Sequence, residues 1–132
     1  MNAEIVEKLR GHGIQPSAQR VAVAEYILAT DEHPSAERVL ARVKRRFPMV
    51  SRATVYNTLN LFVEKGLVQQ LVLTGGRVVF DPWVEDHHHF IDEATGKIHD
   101  IPWDAIEVKR VDRLKGFDVR KFHVVLKGRR RG

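Results

Sequence analysis

The stretch "SRATVYNTLNLFVEKG", residues 51–66, decides the fold. Ser51 suits a helix N-cap, because its hydroxyl can accept from a free amide of the first turn, and Gly66 suits the left-handed residue that ends a helix. Between them Val55, Leu59, Phe62 and Val63 share one arc of a helical wheel, a stripe that belongs against a core. Ala53, Asn57 and Asn60 fall opposite, with Thr54 and Tyr56 flanking and Arg52 in the first turn. That outer surface suits a major groove. Asparagine can bond adenine through two hydrogen bonds, arginine can bond guanine, and an aromatic or methyl group can rest on the thymine methyl. An ordinary solvated helix face has the same composition, so the decision lies with the flanking segments.

Upstream the chain reads as three shorter helices. Ile5, Val6 and Leu9 make an amphipathic segment ended by Gly11 and Gly13. Ser17 can cap a second, with Val21, Val23, Ala24 and Ile27 along its apolar side. In "DEHPSAERVLARVKRRFP", residues 31–48, Pro34 and Ser35 stand at the entrance, Val39, Leu40 and Val43 face inward, and Pro48 is the stop. Downstream the period changes to that of strands: "LVQQLVL", the turn Thr74-Gly75-Gly76, then "RVVF". Helices followed by a glycine-turn hairpin are the layout of a winged helix-turn-helix. The basic cluster Arg42, Lys44, Arg45 and Arg46, the polar face of 51–66 and Arg77 on the wing come in the order that DNA binding needs. The expected partner is double-stranded DNA, with contacts from Arg52, Thr54, Tyr56, Asn57 and Arg77.

After the wing, residues 81–86 hold a proline and no clear period, which predicts a hinge. "HHHFI" and "KIHDI" follow as strands across an Ala94-Thr95-Gly96 turn, then a short helix around Trp103–Leu114, then "VRKFHVVLK" as a last strand. The expected class is α+β: a winged-helix domain over 1–80, a hinge over 81–86 and a small α+β domain over 87–132. Phe122, Val124 and Leu126 on one side of the last strand, with Ile98 and Ile106 behind, are the candidates for an apolar face of that second domain.

The 132 residues allow one modest domain or two very small ones. No apolar run reaches membrane-spanning length and the N-terminus lacks the apolar stretch of a signal peptide, so a cytoplasmic protein is expected. The net charge of +5 favours a polyanionic partner. Lys127 and Arg129–Arg131 read as a solubilising tail. The absence of cysteine excludes disulfides and thiolate zinc sites.

Histidines carry the remaining chemistry. Alternate residues of a strand share a face, so His87 and His89 point one way and His88 the other. Asp81, Asp100 and His33 join that pair as candidate metal ligands, whereas His99 faces away from Asp100, and His12 and His123 are read as structural or surface residues. Imidazoles and carboxylates without thiolate suit Fe²⁺ or Mn²⁺, and Zn²⁺ also binds such a set. A site of five protein ligands leaves little open coordination for hydrolysis, so no enzyme is expected.

Taken together, "HPSAERVLARVKRRFPMVSRATVYNTLNLFVEKGLV", Asp81 after a hairpin, "HHHF" and "GKIHDI" resemble the ferric uptake regulator (Fur) superfamily over almost the whole chain. The resemblance implies a metal-dependent homodimeric repressor whose second domain is the dimerisation domain and whose operator is palindromic. It places the regulatory site on His33, Asp81, His87, His89 and Asp100. It implies no four-cysteine structural zinc here, since Asp92-Glu93-Ala94-Thr95 stands where the family carries its CxxC turn. A second metal site is matched in part, by Asp86, His88 and Glu107, with Phe122 where the family has a histidine. Asp100 in place of glutamate, and "TVYN" at Thr54–Asn57, resemble the peroxide-stress branch, PerR, in which a ligand histidine, His33 or His87 here, is oxidised. The three-histidine run and the cysteine-free end resemble the haem-responsive branch, Irr, where haem would need a histidine ligand; a Fur-like iron sensor is the third reading.

Overall fold

The computed structural model describes residues 2–131; Met1 and Gly132, the latter closing the basic tail, lie outside the described residues. The chain divides into two units, Met1–Val84 and Glu85–Gly132. The first holds helices α1 (Ala3–Gly11), α2 (Ala18–Ile27), α3 (Ala36–Lys44) and α4 (Arg52–Glu64), then strands β1 (Gln69–Val72) and β2 (Val78–Asp81). The second holds β3 (His87–Asp92), β4 (Ile98–Pro102) and β5 (Val125–Gly128).

Each helix of the first unit starts where a side chain can replace a missing carbonyl. Asn2 accepts from the amides of Glu4 and Ile5, Ser17 from Arg20, Ser35 from Arg38 and Ser51 from Thr54. A cap of this kind contributes about 1 kcal/mol. The inner faces meet around Val21, Ile27, Val39, Val55, Leu59 and Phe62, all buried. Thr58 is buried on α4 as well, its hydroxyl donating to the Thr54 carbonyl at 2.8 Å, so the inward arc is wider than its apolar residues. Gly66 ends α4 at φ +77, with its own amide on Val63 O (3.1 Å) and that of Leu67 on Phe62 O (2.9 Å), the two bonds of a Schellman closure.

β1 and β2 pair antiparallel, Gln69 opposite Asp81 and Val72 opposite Val78, around a tip where Gly75 and Gly76 take φ of +81 and +77. The hairpin therefore runs to Asp81, the last residue of β2. The amide of Phe80 donates to the Pro34 carbonyl at 2.9 Å, which ties β2 to the entrance of α3.

In the second unit β3 is central, antiparallel to β4 and parallel to β5, with His89 opposite both Asp100 and Val125. The short helix expected around Trp103–Leu114 does not form. Two separate 3₁₀ turns, Trp103–Ala105 and Val111–Arg113, lack side-chain caps, and between them Ile106 is extended and Arg110 left-handed. One uncapped turn among β-branched Ile106, Val108 and Val111 does not recover the cost of helix nucleation. The last strand also begins later than expected, at Val125, because the Val124 amide bonds the His88 side chain rather than a strand carbonyl. Lys127 thus belongs to β5 and not to the tail. Ile98 is the one buried aliphatic side chain among the described residues of this unit, and Leu114, Phe117 and Leu126 are exposed. No helix among the described residues is long and apolar enough to cross a membrane.

Candidate metal and DNA-binding sites

In the first unit His33 and Asp81 form a buried pair. His33 sits at φ +52, a conformation uncommon for residues other than glycine, just ahead of Pro34. Its Nδ1–H donates to the Asp31 carbonyl at 3.1 Å, and its Nε2 lies 3.2 Å from Asp81 Oδ2. The other carboxylate oxygen of Asp81 accepts the Trp83 amide at 2.9 Å, which fixes the rotamer. The link from Phe80 to Pro34 is what brings strand end and loop together.

In the second unit His87, His89 and Asp100 gather on one face of the β3–β4 ladder. His87 Nδ1–H donates to the Glu85 carbonyl at 2.7 Å, and Nε2 lies 3.3 Å from Asp100 Oδ1. His89 Nε2 is 3.6 Å from the same oxygen, and the two imidazoles are 4.5 Å apart. His33 and His87 share one arrangement. Each binds a backbone carbonyl two residues upstream through Nδ1–H, so in the neutral ring the lone pair is on Nε2, and Nε2 faces a carboxylate. Ligand histidines are commonly oriented this way by a second hydrogen bond. A lone pair and a carboxylate oxygen do not attract each other, so a proton or a cation belongs between them. The donor set fits Fe²⁺, Mn²⁺ or Zn²⁺ and offers no thiolate.

The partial second set behaves differently. His88 is buried on the opposite face of β3 with its ring stacked on Trp103, while Asp86 and Glu107 are exposed. Among the described residues these three do not bring donor atoms within 4.8 Å of one another. His99 packs toward Phe90, and His12 bonds the Lys8 carbonyl at the end of α1. His123, read as a structural or surface residue, is exposed and stands edge-on to His89 with ring centroids 5.4 Å apart. Burial, then the facing His89 and His88 and the Lys121 charge, hold its pKa below the usual histidine value. Parallel pairing of β5 on β3 brings it there, and no local pattern announces that pairing.

On α4, Arg52, Ala53, Tyr56, Asn57 and Asn60 are exposed, and Thr54 is half-buried with its hydroxyl against Ser51. Arg77 is exposed beside the wing tip. Sequence reasoning missed Glu37 of α3: the Tyr56 hydroxyl donates to its Oε1 at 2.8 Å and Arg52 pairs with the same oxygen. Two candidate base readers are thus engaged by an acid that would also repel phosphate. Exposed pairs of this kind are worth up to about 1 kcal/mol. Glu37→Ala is therefore expected to tighten operator binding about 2–5-fold, read by fluorescence anisotropy; weaker binding would mean that Glu37 positions the readers rather than restraining them.

The ferric uptake regulator family model matches residues 11–127. The chain is 36% identical over 104 residues to the peroxide operon regulator of Bacillus subtilis (strain 168), covering 79% of this chain and 72% of that protein. It is 33% identical over 118 residues to the peroxide-responsive repressor PerR of Staphylococcus aureus (strain Mu50 / ATCC 700699), covering 88% and 80%. Among solved structures it is similar to a zinc-bound manganese uptake regulator, with a TM-score of 0.74 at 26% identity over 96% of this chain and 98% of that one. On the extent of the model match and the identity to these two relatives, the chain belongs to the ferric uptake regulator family.

Proposed function

We propose that the protein is a homodimeric, metal-dependent transcriptional repressor of the peroxide-sensing type, with Fe²⁺ or Mn²⁺ held by His33, Asp81, His87, His89 and Asp100. The shared arrangement of His33 and His87, Nδ1–H on a carbonyl and Nε2 toward a carboxylate, is the observation that carries this reading. His33 and Asp81 belong to the DNA-binding unit, and the other three ligands to the dimerisation unit. A metal taking donors from both would fasten the two across the hinge, which follows Asp81 at 82–86, and would select the arrangement in which the α4 helices of a dimer fit DNA. At a hundredfold occupancy margin this linkage is worth ~2.7 kcal/mol. Two-fold symmetry then calls for a palindromic operator. Exposed Leu126 and Phe117 on a thin second unit support dimerisation there.

Fe²⁺ held there would activate hydrogen peroxide to oxidise a neighbouring ring, one oxygen atom entering the ring and the other leaving as water, whereas Mn²⁺ would supply only charge and geometry. His33 and His87 are the rings at risk. A ring that gains an oxygen atom loses the donor that its carbonyl partner had oriented, and the DNA-competent arrangement is released. Asp100 sets the distance at which both Nε2 atoms meet the carboxylate; Asp100→Glu is expected to keep Mn²⁺-dependent operator binding and to lose most of the peroxide response.

The test is anaerobic loading with Fe²⁺ or Mn²⁺, brief peroxide, then operator binding and mass spectrometry of the peptides. The expected result is loss of binding in the Fe²⁺ sample alone, with one oxygen atom added to the His33 or His87 peptide. Intact histidines and reversible Fe²⁺ binding would replace this reading with an iron sensor, and a stoichiometric haem complex with a haem-responsive regulator.

A further inference from the structure

His88 is 1% exposed, on the face of β3 away from His87 and His89. Its Nδ1 lies 2.9 Å from the Val124 amide, which can only donate, so Nδ1 is the acceptor and the neutral ring carries its proton on Nε2. Nε2 is buried with no hydrogen-bond partner. The ring borders a cavity of about 380 Å³ shared with Trp103, Asp104, Glu107 and Phe122. Trp103 lies flat on the imidazole, 4.5 Å away and tilted by 13°, and Phe122 packs on Trp103 at 4.9 Å.

By the family resemblance this is where a second metal site falls, and the residues do not fit one. His88 has the opposite tautomer to His33 and His87. Its only lone pair is engaged by a backbone amide, and the other ring nitrogen bears the proton. Phe122 offers no donor, and Asp86 and Glu107 are exposed and form no three-donor group with His88 among the described residues. What the ring does hold is β5. The Val124 carbonyl accepts from the His89 amide at 3.0 Å while the Val124 amide donates to His88, so consecutive residues of β3 grip Val124 from both sides. The regular β3–β5 ladder begins only at Val125 and runs for four residues, which makes the added grip matter.

We infer that His88, Asp86 and Glu107 hold no second metal among the described residues and that His88 is a strut fastening β5 to β3, giving one divalent metal per chain. The count of one rests on the regulatory site proposed above; the absence of a metal at His88 does not. Mn²⁺ bound per chain is measured by equilibrium dialysis and melting of the chelated protein by circular dichroism, in wild type, His88→Asn, His88→Ala, Glu107→Gln and Asp81→Asn. Asparagine can place its amide oxygen close to where Nδ1 stands, so it keeps the acceptor and removes the imidazole. Wild type, His88→Asn and Glu107→Gln should bind one Mn²⁺, and Asp81→Asn none. His88→Ala should melt about 4–8 °C lower without metal, with most of that loss recovered in His88→Asn. A Mn²⁺ lost in His88→Asn or Glu107→Gln would overturn the inference, as would equal melting of wild type and His88→Ala. An unchanged count in Asp81→Asn would instead sink the regulatory site, and leave this inference standing if the His88→Asn and Glu107→Gln counts also held.

Discussion

Asp81→Asn lowers operator affinity in saturating Mn²⁺ about 100-fold, to that of wild-type protein in chelator. The substitution is chosen for what it leaves alone. The Asn oxygen can still accept the Trp83 amide, so the end of β2 keeps its turn, and the bond from Phe80 to Pro34 does not involve the side chain. What disappears is the negative charge 3.2 Å from His33 Nε2. Without it the remaining donors no longer hold Mn²⁺, and nothing fastens the first unit to the second. The effect is large because the coupling is all-or-none: a ligand shifts a two-state equilibrium only by its differential affinity for the two states. Anisotropy titrations of a palindromic operator, in Mn²⁺ and in EDTA, measure it. If Asp81→Asn retained the wild-type response to metal, the fastening role would be lost. If wild type bound equally well in both buffers, the protein would be a metal-independent DNA binder.

The parts legible in the sequence were those set by neighbours along the chain. A serine before each of α2, α3 and α4, a glycine after α4 and the change to strand alternation at Leu67 are local signals, and the structure follows them. The alternation of His87, His88 and His89 also needs only the pleat, and the antiparallel register then puts Asp100 opposite His89. What escaped the sequence depends on distant pairing. β5 docks parallel to β3 across more than thirty intervening residues, and that docking shortens the last strand and turns His123 toward His89. Glu37 escaped because the polar faces of α3 and α4 were each read against solvent or DNA. Nothing in either helix alone tells that Glu37 reaches Arg52 and Tyr56. The stretch after Pro102 had apolar residues spaced loosely enough for a helix but neither cap nor length to sustain one.

Phe62→Ala should melt the first unit, Met1–Val84, separately from the second. Phe62 is fully buried on the inner arc of α4, and its carbonyl also accepts the Leu67 amide that closes the helix. Truncating a buried phenylalanine costs about 3–5 kcal/mol, a large part of the roughly 5–15 kcal/mol that holds a domain folded. The described members of that core all lie in the first unit, and the second has its own β-pairing and the His88–Trp103 stack. Two thermal transitions are therefore expected in the chelated variant, with the helical signal lost first. Mn²⁺ should raise that first transition, because His33 and Asp81 are positioned only when the first unit is folded, and binding to the folded form alone stabilises it by ~2.7 kcal/mol at a hundredfold margin. That gain is smaller than the loss, so operator binding by Phe62→Ala should recover in Mn²⁺ only at low temperature. Circular dichroism at helical and aromatic wavelengths resolves the two steps. A single transition at all wavelengths, shifted as one, would show that the units fold as a single cooperative body, and a first transition indifferent to Mn²⁺ would remove His33 and Asp81 from the ligand set.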